Sequence, residues 1–192
     1  MKRIIVAITG ASGVIYGIRM LEVLKSRVEL HLVISGMAKE TLSVETAYAL
    51  HEIESMAHFV HNDRDLMAPI SSGSFRTDGM IVIPCSIKTL SAVAHSYNEN
   101  LIARAADVTL KERRKLIMAV RECPLHTGHL RLMLRVSEMG GIIFPPVPAF
   151  YHHPSTLDDI IHHTIGKILD LLDIEHTLFH RWEGKGERGT GG

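Results

Sequence analysis

The sequence predicts an α/β protein of one domain, a doubly wound parallel sheet with helices on both faces. Short apolar runs rich in branched residues recur at 3–9, 29–34, 79–84, 116–120 and 142–146. Helix-period patterns fill the intervals between them. The first run ends in a glycine-rich turn, Gly10-Ala11-Ser12-Gly13, which opens into a helical pattern. Runs buried on both faces belong to parallel strands, and strands alternating with helices give a parallel sheet.

The bulk composition narrows the class. The 192 residues are 46% hydrophobic and 22% charged, and Lys plus Arg equals Asp plus Glu at 21 each. That balance gives no general affinity for nucleic acid or membrane. No apolar run reaches the ~18 residues that span a bilayer, and the N-terminus enters a strand with no signal peptide. Cys85 and Cys123 lie far apart and read as reduced thiols. A cytoplasmic location is the resulting expectation.

Along the chain, the strand at 3–9 ends at Thr9, and Tyr16 to Lys25 reads as the helix after the turn. Strand, glycine turn and helix together aim free backbone N–H groups at an anion such as a nucleotide phosphate. Glycines at 10, 13 and 17 do not make the G-x-G-x-x-G fingerprint of dinucleotide enzymes. The second strand ends at Ser35, where NAD-binding chains of this class place an Asp or Glu for the ribose. A small hydroxyl suits a phosphate or a flavin side chain, and equally a plain turn.

The third strand runs into Pro84-Cys85-Ser86-Ile87-Lys88-Thr89. Ser86 stands where an N-cap belongs and Thr89 lies one turn on, so two hydroxyls meet at a helix N-terminus. Cys85 has no base near it in the sequence and reads as a buried thiol. The helix from Ser86 places Leu90, Val93, Ala94 and Tyr97 on one face. In the next, 101–115, Arg104 and Lys111 share a face roughly 10 Å apart. Arg121-Glu122 follow the fourth strand, where a charged pair either faces a site or forms salt bridges. Residues 126–139 form another helix, stopped by Gly140 and Gly141. The last helix takes Ser155 as cap with Asp158 after it, and lines Leu157, Ile161, Ile165, Ile168 and Leu172 along one side. The tail 183–192 holds five glycines among charges and reads as disordered, leaving 1–182 as the domain.

Thirteen histidines raise the question of a metal. His152-His153 and His162-His163 are adjacent, so their side chains point apart. Asp158 with His162 and Asp159 with His163 read as surface ion pairs at i,i+4 spacing. His126-x-x-His129 has no third ligand, and no metal is expected.

Taken in order, these segments resemble the UbiX-type flavin prenyltransferases, including the B subunit of non-oxidative hydroxyarylic acid decarboxylases. The resemblance rests on Thr9-Gly-Ala-Ser-Gly-Val-Ile-Tyr-Gly17, Ser71-Ser-Gly-Ser-Phe75, Pro84-Cys-Ser-x-x-Thr-Leu90 and Arg104-Ala-Ala-Asp-Val-x-Leu-Lys-Glu-Arg113. It continues through Arg121-Glu-x-Pro-Leu125, Pro145-Pro-x-Pro-Ala-Phe-Tyr151 and Arg181-Trp182. It implies a Rossmann-like or flavodoxin-like fold that binds reduced FMN and dimethylallyl phosphate, without a metal. The prenyl group would be joined to flavin N5 and C6, and the prenylated FMN passed to a UbiD-type decarboxylase. Trimers packed into a homododecamer are implied as well.

Residue by residue, the resemblance implies that Gly10, Ala11, Ser12, Ser35, Ser86, Thr89 and Arg121 hold FMN. Tyr151, Lys111 and Lys167, with Arg104 from a neighbouring subunit, would surround the prenyl phosphate. Ser12 and Glu45 would act near flavin N5, Glu122 in proton transfer at C6, and Trp182 would offer its π face to the allylic cation.

Three positions depart from the family pattern. Lys167 stands where Arg is usual, Leu66 where some members have Trp, and His95 to Asn100 replaces a glycine-containing segment near subunit contacts. A short-chain dehydrogenase is excluded, because no tyrosine is followed four residues on by lysine. A cysteine decarboxylase is disfavoured by the lack of a Pro-x-Met-Asn motif. A non-catalytic FMN carrier or chaperone, or a direct phenolic acid decarboxylase, is the alternative function.

Overall fold

The computed structural model describes residues 1–181. Strand β1 (Arg3–Ile8) is the centre of a six-stranded sheet, flanked by β2 (Glu29–Ile34) and β4 (Gly79–Cys85). Outside these lie β3 (Phe59–His61), β5 (Lys115–Val120) and β6 (Ile142–Ile143), in the order β3-β2-β1-β4-β5-β6. Every neighbouring pair is parallel. The central strands have side chains buried on both faces, which is why they read as continuous apolar runs rather than alternating ones. The predicted doubly wound sheet is present.

The helices are α1 (Val14–Leu24), α2 (Gly36–Glu45), α3 (Leu50–Glu54), α4 (Ile87–Ala94), α5 (Leu101–Lys111), α6 (Thr127–Glu138) and α7 (Leu157–Leu171). Gly17 lets α1 lie close on the sheet. A Cβ there would stand 2.7 Å from the Ile83 carbonyl oxygen and 2.8 Å from Ile8 Cδ1. Gly140 ends α6 region with φ 96°, as the Gly140-Gly141 stop predicts.

Several expectations are corrected. The strand expected at 142–146 spans Ile142–Ile143 alone, since Pro145 and Pro146 have no N–H to extend a ladder. The cap of α7 is Thr156, whose hydroxyl accepts the Asp159 N–H while Asp159 accepts the Thr156 N–H. Ser155 joins the same carboxylate from outside the helix, so the box is one residue later than the Ser155–Asp158 pair. Helices α2 and α3 and strand β3 were not foreseen. In α2 only Ala38 and Leu42 are buried, too narrow a stripe to show as a helical period.

The chain divides into two compact units, Met1–Pro146 and the residues from Val147 onward. The first holds the sheet and α1 to α6, and the second holds α7. The expected disordered tail and Trp182 lie outside the described residues. No helix among the described residues is long and apolar enough to cross a membrane.

Candidate active site

The strand order reverses beside β1: the chain leaves it for β2 on one side and returns to β4 on the other. In an open parallel sheet, a crevice forms outside the carboxyl ends of the two strands at this switch point. Thr9, 1% exposed, ties the two loops there together. Its hydroxyl donates to the Pro84 carbonyl at 2.8 Å and accepts the Ser86 N–H at 2.8 Å. The Arg121 N–H donates to the Cys85 carbonyl at 3.0 Å, so the end of β5 joins the same edge. A threonine ending a strand before a glycine was the available sign of this bridge.

The glycine turn is built around a residue the turn itself does not contain. Gly13 has φ 96°, a conformation suited to glycine, and caps α1 without a side chain of its own. Glu45, the last residue of α2, supplies the missing acceptor. Its carboxylate takes the N–H groups of Gly13 at 2.8 Å and Val14 at 3.2 Å, and the Ser12 side chain bonds it as well. These amides therefore face a protein carboxylate rather than standing free for a phosphate, which corrects the expectation from the turn alone. Partial burial pushes the Glu45 carboxyl up, but the bonds from Ser12, Gly13 and Val14 and the Arg121 charge outweigh it. The net effect is a carboxyl held below its ordinary range. At Gly10, a Cβ would overlap Met37 of α2, so this turn and α2 approach as closely as backbone allows.

Two more helices start at the same edge. Ser35 caps α2 by accepting the Ala38 N–H at 3.2 Å. Ser86 caps α4 by accepting the Thr89 N–H at 3.3 Å, and its hydroxyl donates to Thr89 Oγ1 at 3.2 Å. The paired hydroxyls expected at this N-terminus are there. Cys85 is fully buried, and burial pushes its thiol far up, so it is no nucleophile.

Arg121 brings a positive charge to this edge. Its Nε is buried without a hydrogen-bond partner, an arrangement that is costly unless a ligand supplies an acceptor. Glu122 turns its carboxylate to the Cys123 N–H at 3.1 Å. Ser12, Ser35, Glu45, Ser86, Thr89 and Arg121, with the Gly10-Ala11 backbone, thus gather at the carboxyl ends of β1, β2, β4 and β5. Paired hydroxyls, helix N-termini and an orphaned guanidinium nitrogen fit a flavin mononucleotide.

Lys111 does not join that group within one chain. Helix α5 runs back from the carboxyl edge, and Lys111 ends it just before β5 begins at the opposite edge. Arg104 donates to the Ser71 carbonyl at 3.1 Å and pairs with Asp107 at 3.3 Å, while Lys111 pairs with Glu112. The 71–73 loop covers this face, and a Cβ at Gly73 would stand 2.7 Å from Lys111 Nζ.

In the C-terminal unit, Tyr151 and Lys167 are linked through a residue that sequence reasoning misread. His163, expected as a surface partner of Asp159, is 6% exposed, and its Nε2 lies 2.6 Å from the Tyr151 hydroxyl. Asp159 is instead occupied by Ser155 and Thr156. Burial, then the neighbouring His152 and Lys167, pull the His163 pKa below its ordinary value. The stripe Ile161, Ile165 and Ile168 lies on the opposite side of the helix from His163, so helical periodicity gave no sign of its burial. Among the described residues, no group of three or more His, Cys, Asp or Glu could hold a metal ion.

Comparison with known proteins supplies the family. Residues 1–176 match the family model described as Flavoprotein. The flavin prenyltransferase UbiX of Salmonella typhimurium is 56% identical over 188 residues, covering 96% of this chain and 100% of the relative. The crystal structure of AnUbiX in complex with FMN and dimethylallyl pyrophosphate superposes with a TM-score of 0.94 at 49% identity, covering 95% of this chain and 98% of that one. A dodecameric FMN-dependent Ubix-like decarboxylase from Escherichia coli O157:H7 gives 0.92 at 50% identity, over 95% of this chain and 100% of its own. With relatives matched over nearly their whole length at about half identity or more, this chain belongs to the UbiX-type flavin prenyltransferases of the flavoprotein family.

Proposed function

We propose that the protein joins a dimethylallyl group from dimethylallyl phosphate to N5 and C6 of reduced FMN. The observation that carries this reading is Arg121 with its buried, unpartnered Nε beside Glu45, at the edge where three helices begin. Reduced FMN supplies the two nucleophilic atoms. N5 takes the prenyl carbon that loses phosphate, which departs with the electron pair of the broken C–O bond. The prenyl double bond then takes up the proton released at N5, so that C6 attacks the resulting tertiary cation and loses its own proton. Ser35, Ser86, Thr89 and Arg121 hold the flavin, and the Gly10-Ala11 backbone allows its close approach.

Ser12 and Glu45 stand together as a hydroxyl–carboxylate pair able to hold and pass the proton at flavin N5. Glu45 stays ionised at neutral pH, as a proton acceptor must. Glu122 receives the proton from C6. Tyr151 and Lys167 bind the phosphate of the prenyl donor, where negative charge develops as it leaves. Arg104 serves that phosphate from another copy of the chain, as the resemblance implies, and Lys111, which ends α5 at the edge opposite Arg121 of its own chain, does the same. By resemblance, Trp182, outside the described residues, would offer its π face to the allylic cation. Lys167 keeps the charge of the usual arginine and gives up its bidentate fork.

The same reading makes the product a cofactor for a UbiD-type decarboxylase and assembles the chain as a dodecamer in the cytoplasm. The deciding experiment is anaerobic incubation with reduced FMN and dimethylallyl phosphate, followed by mass spectrometry of the released flavin. A product heavier by one C5 unit is expected. Unmodified FMN, tightly held, with either dimethylallyl phosphate or the pyrophosphate, would instead identify a carrier.

A further inference from the structure

The Tyr151–His163 pair has a property that neither residue shows alone. A neutral imidazole carries one N–H, and the 2.6 Å contact is one hydrogen bond whose direction depends on which nitrogen holds it. With the proton on Nδ1, the phenol must donate to His163, and its oxygen then offers only lone pairs in other directions. With the proton on Nε2, the imidazole donates to the phenol oxygen, and the phenol's own proton points away from His163. Only the second arrangement lets Tyr151 donate to a phosphoryl oxygen.

The surroundings hold the ring for this task. His163 stacks on His152 with centroids 4.4 Å apart and planes 7° apart, and packs against Phe179 at 4.6 Å. It meets Tyr151 edge-on at 5.2 Å. His163 and Lys167 are four residues apart on α7, so they lie on one face of the helix. Among the described residues, the titratable and charged groups facing the ring are Tyr151, His152 and Lys167.

We infer that His163 positions Tyr151 by donating its Nε2–H to the phenol oxygen, directing the tyrosine proton to the phosphate of the prenyl donor. The inference rests on the reading that Tyr151 binds that phosphate. A donated hydrogen bond also polarises the phenol O–H, strengthening its bond as charge grows on the departing phosphate. His163 touches no reacting atom and acts only through Tyr151.

The test uses the full-length protein loaded with oxidised FMN, which does not turn over, and titrates dimethylallyl phosphate by calorimetry beside steady-state kinetics. His163→Phe keeps the ring packing and removes the donor. Its Kd and KM for dimethylallyl phosphate rise about 5- to 10-fold, with FMN affinity and Tm unchanged. His163→Gln, whose amide can donate to Tyr151, returns both to within about twofold of the parent. Tyr151→Phe weakens the same affinity, and adding His163→Phe to it costs nothing more. Where His163→Phe does not fold, His163→Asn, too short to reach the phenol, takes its place. A His163→Phe protein that binds as the parent while Tyr151→Phe is weakened overturns the inference, as does an equal loss in the Tyr151→Phe background. A Tyr151→Phe protein with full affinity overturns the reading beneath it.

Discussion

The carboxylate of Glu45 lies 2.8 Å from the backbone nitrogen of Gly13, so the last residue of α2 closes the N-terminus of α1. A negative charge at a helix N-terminus is favourable, and here the same oxygen also accepts the Val14 N–H. The catalytic reading of Glu45 and its structural work are therefore coupled.

Glu45→Gln separates the two. The amide oxygen still accepts the Gly13 N–H, so stability falls by less than about 1 kcal/mol in an exposed, screened position. Loss of the proton acceptor lowers kcat about 100-fold with FMN affinity retained, measured by anaerobic single-turnover kinetics and flavin fluorescence.

Arg121→Lys keeps the charge but removes Nε and the planar fork. FMN binds about tenfold more weakly, while Tm holds or rises slightly because a buried, unpartnered nitrogen is gone. Equilibrium titration with FMN and thermal denaturation check both parts. Unchanged affinity would remove Arg121 from the flavin site.

Gly17→Ala forces a methyl group against the Ile83 carbonyl and Ile8, both in strands of the core. The expected loss is about 1–3 kcal/mol in urea unfolding.

Acid should destabilise the protein in two windows. His31, His61 and His163 are pulled below their ordinary 6.5, by burial first in each case. The unfolded chain then binds more protons, so this stability is present above pH 6.5 and is lost as pH falls through the lower folded values. Each histidine contributes at most ~1.4 kcal/mol per pH unit. A second loss begins below the ordinary carboxylate values. Glu29, bonded by Arg3 and His31, and Asp159, bonded by the Ser155 and Thr156 amides, are each held at about 2. Calorimetric Tm is therefore lower at about pH 5.5 than at about pH 7.5, and a flat profile there would contradict the histidine contribution.

Much of the fold was legible because parallel strands buried on both faces announce themselves as apolar runs. The two-residue β6, the weakly amphipathic α2 and the Thr156 cap were not, since each depends on what packs beside it. For the site, the Ser35 hydroxyl, the Ser86 cap and the Arg121-Glu122 pair were visible as residue types at the ends of strands, while the capping of α2 by Ser35 was not. The roles of Ser12, Glu45 and Tyr151 came from resemblance to a family, because local spacing says nothing about a carboxylate 32 residues from the amide it meets.

By itself, the sequence determined the parallel α/β class, the carboxyl-edge loops and the family, all of which follow from local periodicity and contiguous motifs. Only the tertiary structure decided that Glu45 occupies the Gly13 amides, that Arg121 keeps an unpartnered nitrogen and that His163 stands behind Tyr151. It also decided that Lys111 ends at the edge opposite Arg121. Each of these depends on a crossover or a helix direction, which brings distant residues into contact or parts near ones.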